Sequence, residues 1–273
     1  MTRFFKVSGS GNDFLALAEP DEEPSPERIQ AWCHRGVSLG ADGLFVLRRE
    51  DGGAAMDYYN SDGRPADLCL NGTRCAAQLL FHLGWAEGSG RVRTHAGAFA
   101  ARRLDESRIA LTIPAPAAEP REMEIDVEDR SWRGWSLTVG VPHFVLAWRG
   151  HLGEAPVREL GRAIRFHPSF APAGTNVSFV RFPAEHRLEI RTYERGVEDE
   201  TLSCGTGVLA ATAVGLHLGR SALPLHVLTQ GGFELEVAAG EPGVWTFSGD
   251  ARIVAAGDLL PGADPSPSPP AWS

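Results

Sequence analysis

The stretch CLNGTRCAAQLLFHLG (69–84) returns in altered form as CGTGVLAATAVGLHLG (204–219). Each copy opens on a cysteine, carries glycine three residues on (Gly72, Gly207) and closes on His-Leu-Gly, with His82 and His217 at one offset. Twenty-five residues past each cysteine stands a threonine in a Thr…Gly…Phe stretch, Thr94 to Phe99 and Thr229 to Phe233. Tyr58-Tyr-Asn60 precedes the first copy and Thr192-Tyr-Glu194 the second. A fixed internal period marks a duplicated unit. Here the period is a whole domain, so the sequence predicts two similar halves, each placing one cysteine at the start of a helix. The runs Ala76 to Leu83 and Val208 to Leu218 are apolar nearly all round, the pattern of helices buried on every side. Gly84 and Gly219 fit their C-terminal caps.

A cysteine at a helix start has particular chemistry. The first N–H groups of a helix lack intrahelical partners and carry the positive end of the dipole. That environment binds a carboxylate or phosphate and lowers a thiol pKa. Gly72 and Gly207 let another group approach the backbone of the first turn. Two such sites facing each other would make one anion cradle flanked by two thiols. A lone free cysteine is as a rule a small buried hydrophobe; two at equivalent points of a repeat argue for chemistry at Cys69 and Cys204.

The 273 residues suffice for one large or two medium domains. Hydrophobic residues at 43% and charged ones at 22% are ordinary globular composition. A net charge of −9 argues against nucleic acid or an anionic membrane as partner. The absence of an apolar leader-like start or a membrane-length run gives the expectation of a soluble, cytoplasmic protein. Cys33 and Cys75 read as packing residues, and the cysteine spacing does not fit zinc. Lys6 is the sole lysine and lies in a strand-like segment without a phosphate loop, which argues against a lysine-bound pyridoxal phosphate.

Residues 3–8 and 14–18 read as strands around the turn Ser8 to Asp13, where Asn12 and Asp13 fit turn formers. Glu27 to Arg35 reads as a helix; Gly43 to Leu47 and Met56 to Asn60 read as strands. Residues 90–114 alternate in three strand-like pieces, and the Pro/Ala-rich Ala115 to Pro120 is the candidate linker. The expected halves are therefore 1–115, joined by the C-terminal segment 261–273, and 116–260. In the second half, Trp135 to Val139 and Phe144 to Trp148 read as strands around Gly140-Val-Pro-His143, with His143 falling where Asp13 falls. Pro156 to Arg165 reads as a short helix. Strands are expected at 176–182, 188–192, 226–230, 233–238, 244–248 and 251–255, and a disordered Pro/Ser-rich end.

Two thiols on opposite sides of one anion cradle suit stereoinversion. One takes a proton from a carbon and the other returns one to the opposite face. The carbon acid beside a carboxylate is weak, so the paired helix starts would stabilise the charge developing on the carboxylate. No metal or organic cofactor is required. Glu194, ten residues before Cys204, would raise a thiol pKa; His143 would act the other way when protonated, or accept a hydrogen bond when neutral.

The motifs SGSGNDF (8–14), GADGL (40–44), YNSDG (59–63), CLNGTRC (69–75), GVPH (140–143), NV (176–177), YERGVEDETLSCGTG (193–207) and GG (231–232) together resemble the diaminopimelate epimerase family. The resemblance implies a cofactor-independent isomerase converting LL- to meso-diaminopimelate in lysine and peptidoglycan synthesis. It implies an α/β (α+β) fold of two pseudosymmetric domains, each a mixed, largely antiparallel sheet wrapped around a central buried helix, and a homodimer. By motif, Cys69 and Cys204 match the acid/base thiols. Backbone groups of Leu70, Asn71, Gly205 and Thr206 match donors to the reacting carboxylate. Asn12, Asn60, Asn176, Glu194 and Arg195 match substrate-binding positions, and His143 and Glu194 match residues that tune the thiols. Three positions depart from the family pattern: Leu70 stands where glycine is usual, Val141 where many members have asparagine, and Gly43 where some have glutamine. These departures leave open a related racemase of another amino acid such as histidine. A non-catalytic amino-acid-binding protein on the same scaffold, and oxidation of the two thiols to a disulfide, are further readings.

Overall fold

The structure, a computed structural model, describes residues 2–264. The first repeat runs β1 (Thr2–Gly9), β2 (Asn12–Ala18), α1 (Pro26–Cys33), β3 (Gly43–Glu50), β4 (Gly53–Asn60), β5 (Pro65–Ala66), α2 (Leu70–His82), β6 (Ser89–Thr94), β7 (Gly97–Arg103), β8 (Arg108–Pro114) and β9 (Arg121–Val127). The second repeats that order as β10 (Arg130–Val139), β11 (Val141–Ala147), α3 (Val157–Arg165), β12 (Asn176–Ala184), β13 (Arg187–Glu194), β14 (Asp199–Thr201), α4 (Gly205–His217), β15 (Leu225–Thr229), β16 (Glu234–Ala239), β17 (Val244–Asp250) and β18 (Arg252–Leu259).

The chain forms two compact units. One takes the chain up to Leu111 and takes it up again from Asp250; the other is Thr112–Gly249. The chain thus returns to the first unit at Asp250, ahead of the tail from Pro261 that composition pointed to. The cause is strand exchange at the ends of the repeats. β18, which closes the second repeat, pairs antiparallel with β1. Its counterpart β9, which closes the first repeat, pairs antiparallel with β10. The end of the expected tail, residues 265–273, lies outside the described residues.

Within the first unit the strands run β18–β1–β2–β3–β4–β6–β7, with β5 on β4; within the second they run β9–β10–β11–β12–β13–β15–β16–β17, with β14 on β13. The β2–β3, β4–β6, β11–β12 and β13–β15 pairs are parallel and the rest antiparallel. Central strands are buried on both faces, which is why FLALA (14–18) and GLFVL (43–47) read as continuous apolar runs rather than alternating ones. Leu15, Leu17, Leu44 and Val46 pack with Ile29 and Trp32 of α1. Phe144, Leu146, Val177 and Phe179 pack with Val157, Leu160 and Ile164 of α3. Burying each such side chain contributes roughly 1.5–3 kcal/mol. α2 packs on β1, β2, β3, β4, β6, β7 and β18, and α4 on β10, β11, β12 and β13. Each has thirteen residues and ends at a left-handed glycine, Gly84 (φ 68°) or Gly219 (φ 63°). Among the described residues no helix is long and apolar enough to cross a membrane.

The hairpin turns set the equivalence of the two sheets. Ser10 and Gly11 (φ 52° and 88°) form a two-residue turn of the type that positive φ at both positions demands. Gly140 (φ 70°) stands alone between the paired Val139 and Val141. The second turn is one residue shorter, so the register corrects the expected match of His143 to Asp13. Phe14 lies opposite Gly43 and His143 opposite Asn176, each the first residue of its strand, so His143 is the counterpart of Phe14. Asn12 then corresponds to Val141, and Asn60, opposite Gly43, to Glu194.

Candidate active site

Each helix start is built the same way, with a cysteine in extended conformation as N-cap. Cys69 has φ −136° and ψ 106°, and Cys204 φ −118° and ψ 107°. The carbonyl of Cys69 accepts from Thr73 N–H at 2.7 Å, and that of Cys204 from Val208 N–H at 3.0 Å. Helix geometry leaves the N–H groups of Leu70 and Asn71, and of Gly205 and Thr206, without partners inside their own helices, and these are donors suited to an anion.

In the first unit Cys69 is half-buried and its Sγ accepts from the Gly72 N–H at 3.4 Å. Leu70 is buried as the first helical residue. Asn71 joins the helix to the β1–β2 turn: its Nδ2 donates to Asn12 Oδ1 at 2.6 Å. Asn12 Nδ2 donates to Asp42 Oδ2 at 3.2 Å. Asp13 is gripped by Lys6 (2.5 Å) and by Arg35, which also reaches Asp42 at 2.8 Å. Burial acts to raise the Asp13 carboxyl, but hydrogen bonds from Arg35 and Lys6 outweigh it and hold it below the usual carboxylate range. Asn12 and Asp13 therefore do more than form a turn. Asn60 is exposed at the end of β4, where its N–H donates to Arg64 O and its carbonyl accepts from Gly63.

In the second unit Cys204 is buried, with Thr206 Oγ1 at 3.6 Å from its Sγ. Asn176 Oδ1 accepts from the Arg195 N–H at 2.7 Å, which orients the amide. Glu194 Oε2 accepts from Thr201 Oγ1 at 2.9 Å. His143 is wholly buried, and neither ring nitrogen has a hydrogen-bond partner among the described residues. Burial, assisted by the charge of Arg195, pushes its pKa down to about 3. Of the two roles open to it from sequence, this leaves the neutral ring.

Cys33 and Cys75 are buried, and burial pushes the Cys33 thiol up to about 12 and raises that of Cys75 as well. Among the described residues no group of three or more His, Cys, Asp or Glu could hold a metal ion. Lys6 is committed to Asp13 and the Gly40 carbonyl.

Sequence reasoning gave no role to Arg74, Asp250, Ser178 and Thr192, which lie beside these helix starts. Arg74 is fully buried and reaches Asn71 Oδ1 and Ser10 Oγ, both at 2.8 Å. Asp250 Oδ1 accepts from the N–H and Oγ of the same Ser10 at 2.7 and 2.8 Å. In the second unit, Ser178 Oγ and Thr192 Oγ1 share a buried hydrogen bond of 3.1 Å. The available signal for Arg74 was a lone charge opening an otherwise apolar run.

Comparison with known proteins supplies a family. The diaminopimelate epimerase family model matches residues 4–112 and 135–254. A diaminopimelate epimerase of Aquifex aeolicus is 35% identical over 252 residues, covering 87% of this chain and 90% of the relative. One of Gemmatimonas aurantiaca is 39% identical over 224 residues, covering 77% and 78%. Among solved structures, a hydroxyproline epimerase from Agrobacterium vitis shares the fold with a TM-score of 0.64 at 17% identity, covering 96% of this chain and 94% of that one. A phenazine biosynthesis protein of the PhzF family from Enterococcus faecalis gives 0.69 at 16% identity, covering 95% and 99%. The chain belongs to the diaminopimelate epimerase family.

Proposed function

We propose that this protein converts LL-diaminopimelate to meso-diaminopimelate by cofactor-independent, two-base proton transfer at the α-carbon. The observation that carries this reading is the pair of cysteines capping equivalent buried helices in the two repeats, in a chain of this family. One thiolate removes the α-proton, and the electron pair left on carbon delocalises into the adjacent carboxylate. Helix-start N–H groups of Leu70, Asn71, Gly205 and Thr206 stabilise that charge. The other thiol then delivers its proton to the opposite face. His143, neutral at physiological pH, acts through hydrogen bonding, and Glu194 through its negative charge. Asn12, Asn60, Asn176 and Arg195 serve in binding. Action in the cytoplasm and as a homodimer belongs to the same proposal.

Proton NMR of LL-diaminopimelate with reduced enzyme in deuterium oxide tests it. Loss of the α-proton signal together with appearance of the meso isomer is the expected result. Binding without exchange would convert the reading to a non-catalytic amino-acid-binding protein.

A second reading, a racemase of another amino acid, draws on the second unit. Val141, the counterpart of Asn12, presents no amide there. A panel of amino acids, histidine included, separates the two; diaminopimelate is expected to be preferred by a large factor.

A further inference from the structure

The turn Arg195–Glu198 joins β13 to β14 and is closed by the Glu198 N–H, which donates to Glu194 O at 2.8 Å. Gly196 and Glu198 both have positive φ, 91° and 59°. For a glutamate that conformation is strained and persists only where neighbouring contacts enforce it. Tyr193 Oη donates to the Glu198 carbonyl at 2.8 Å. Glu198 Oε1 accepts from the Gly196 N–H at 3.0 Å and from Arg165 Nη2 and Nε at 2.9 and 3.2 Å. Arg165 is the last residue of α3, and its side chain is only 13% exposed. A Cβ on Gly174 (φ 66°) would overlap Arg165 Nη1, so the guanidinium lies against the backbone just ahead of β12. Arg195 returns to that same segment: its Nη1 donates to Ala173 O at 3.3 Å and its N–H to Asn176 Oδ1 at 2.7 Å. One guanidinium thus braces both the turn that carries Arg195 and the segment on which Arg195 and Asn176 meet.

The other ion pairs of the hairpin do different work. Asp199 meets Arg158 at 2.8 Å with both side chains more than half exposed, a pair of little weight. Glu200 meets Arg191, whose Nη1 also reaches the carbonyls of Leu152, Gly153 and Ala155, so this pair ties the strands rather than the turn. Glu194 has supports of its own in Thr201 Oγ1 and in its ladder place opposite Asp199. In the first unit the turn after Asn60 rests instead on the start of α1: a Cβ on Gly63 would overlap Pro26 O, and Arg64 is exposed.

We infer that Arg165 is a positioning residue that, through Glu198, sets the pose of Arg195 and Asn176 for substrate binding. This deepens the proposed epimerisation and rests on it for the substrate concerned. With Oδ1 taken by the Arg195 N–H, the Asn176 amide turns its Nδ2 hydrogens to a ligand, so the brace makes this position a donor.

Steady-state kinetics and amide hydrogen exchange of the whole enzyme test it together. Arg165→Met is expected to raise KM for LL-diaminopimelate about tenfold, the scale of one lost hydrogen bond to a charged group, while kcat stays within about threefold. Arg165→Lys keeps the charge but not the planar fork and is expected to recover part of the KM. Glu198→Gln leaves an acceptor for Gly196 but no charge for Arg165; it is expected to give the same split, and the double variant to be no worse than the more damaging single one. Exchange of the Arg195 and Gly196 amides, read without substrate, is expected to quicken about tenfold in Arg165→Met while the α4 amides hold their rates. Should Arg165→Met not fold, Glu198→Gln carries both measurements. Unchanged KM in the folded variants, a fall in kcat at constant KM, or additive effects in the double variant would overturn the inference, and faster exchange with unchanged KM would reduce Arg165 to a structural tie. If the unaltered enzyme does not turn over diaminopimelate, the substrate assignment fails and exchange alone decides: Arg195 and Gly196 amides as slow in Arg165→Met as in the parent would overturn the brace.

Discussion

The two units carry the same elements in the same order, yet they place polarity on opposite partners. In the first unit the helix holds it: Asn71, Arg74 and Gln78 are buried on α2. The sheet residues at the matching depth are aromatic, with Phe14 6.3 Å from Phe45 and 5.9 Å from Tyr58 between ring centroids. In the second unit the counterparts of Arg74 and Gln78 are Leu209 and Ala213 while that of Asn71 is Thr206, and the sheet holds further polar groups. His143 stands for Phe14, Ser178 for Phe45 and Thr192 for Tyr58. A duplicated scaffold can therefore keep its thiols at equivalent backbone positions while surrounding them with different electrostatics.

The sharpest way to break the comparison is to remove the thiols one at a time. Cys69→Ala and Cys204→Ala are each expected to lower kcat by about 10²- to 10⁴-fold, the range that one general acid or base contributes. Steady-state rates in both directions check this. If either variant kept full activity, the two-base reading would be lost and the repeat would be a relic of duplication on that side.

The next difference is the exchange of Phe14 for His143. Unfolded, His143 takes up a proton near pH 6.5; folded, it does so only near pH 3. Between those values the unfolded chain holds more protons, so stability falls as pH drops, by up to about 4–5 kcal/mol over the whole window. Denaturant melts at pH 7 and pH 4.5 of the unaltered protein and of His143→Phe measure it. The variant is expected to lose markedly less stability on acidification. Equal losses in the two proteins would show that other groups govern the acid limb.

What the sequence disclosed follows from where apolar residues are continuous. The capped helices were legible because Cys69 and Cys204 stand at an abrupt change from Gly and polar residues to buried helix formers. The two central sheets were legible through runs such as GLFVL (43–47). β9 was passed over although Met123, Ile125 and Val127 of REMEIDV (121–127) alternate with acidic residues, because the stretch is short, buries fully only Ile125 and follows directly on a Pro/Ala-rich segment. The same weakness hid the start of β10 and the return of β18 to β1, a pairing between the ends of the chain that no local pattern encodes. The site divides similarly. Motif singled out Cys69, Asn71 and Asn176, which lie at the start of α2 and the start of β12. The one-residue difference between the turns at Ser10-Gly11 and Gly140 displaced His143 by one position. The Arg74–Ser10–Asp250 chain links residues too distant in sequence for spacing to suggest.

The smallest expected difference lies in the two first-turn glycines, and it sharpens the comparison because the backbone there is the same. A Cβ on Gly72 would come 3.2 Å from the Met56 methyl and 3.5–3.6 Å from the Cys69 side chain. Met56 Cε is the end of a flexible chain and can move aside. The gain in helix propensity from glycine to alanine, up to about 1 kcal/mol, then offsets much of the crowding. A Cβ on Gly207 would come 3.2 Å from Ser178 Oγ and 3.3 Å from both Cβ and Sγ of Cys204. Ser178 cannot yield without straining its buried bond to Thr192, and the thiol itself would be displaced. Gly207→Ala is therefore expected to lower stability by about 1–2 kcal/mol and to cut activity, while Gly72→Ala stays within about 0.5 kcal/mol of the parent. Equal effects in thermal melts and turnover would mean that Ser178 yields as freely as Met56, and that the second sheet grips its helix start no more tightly than the first.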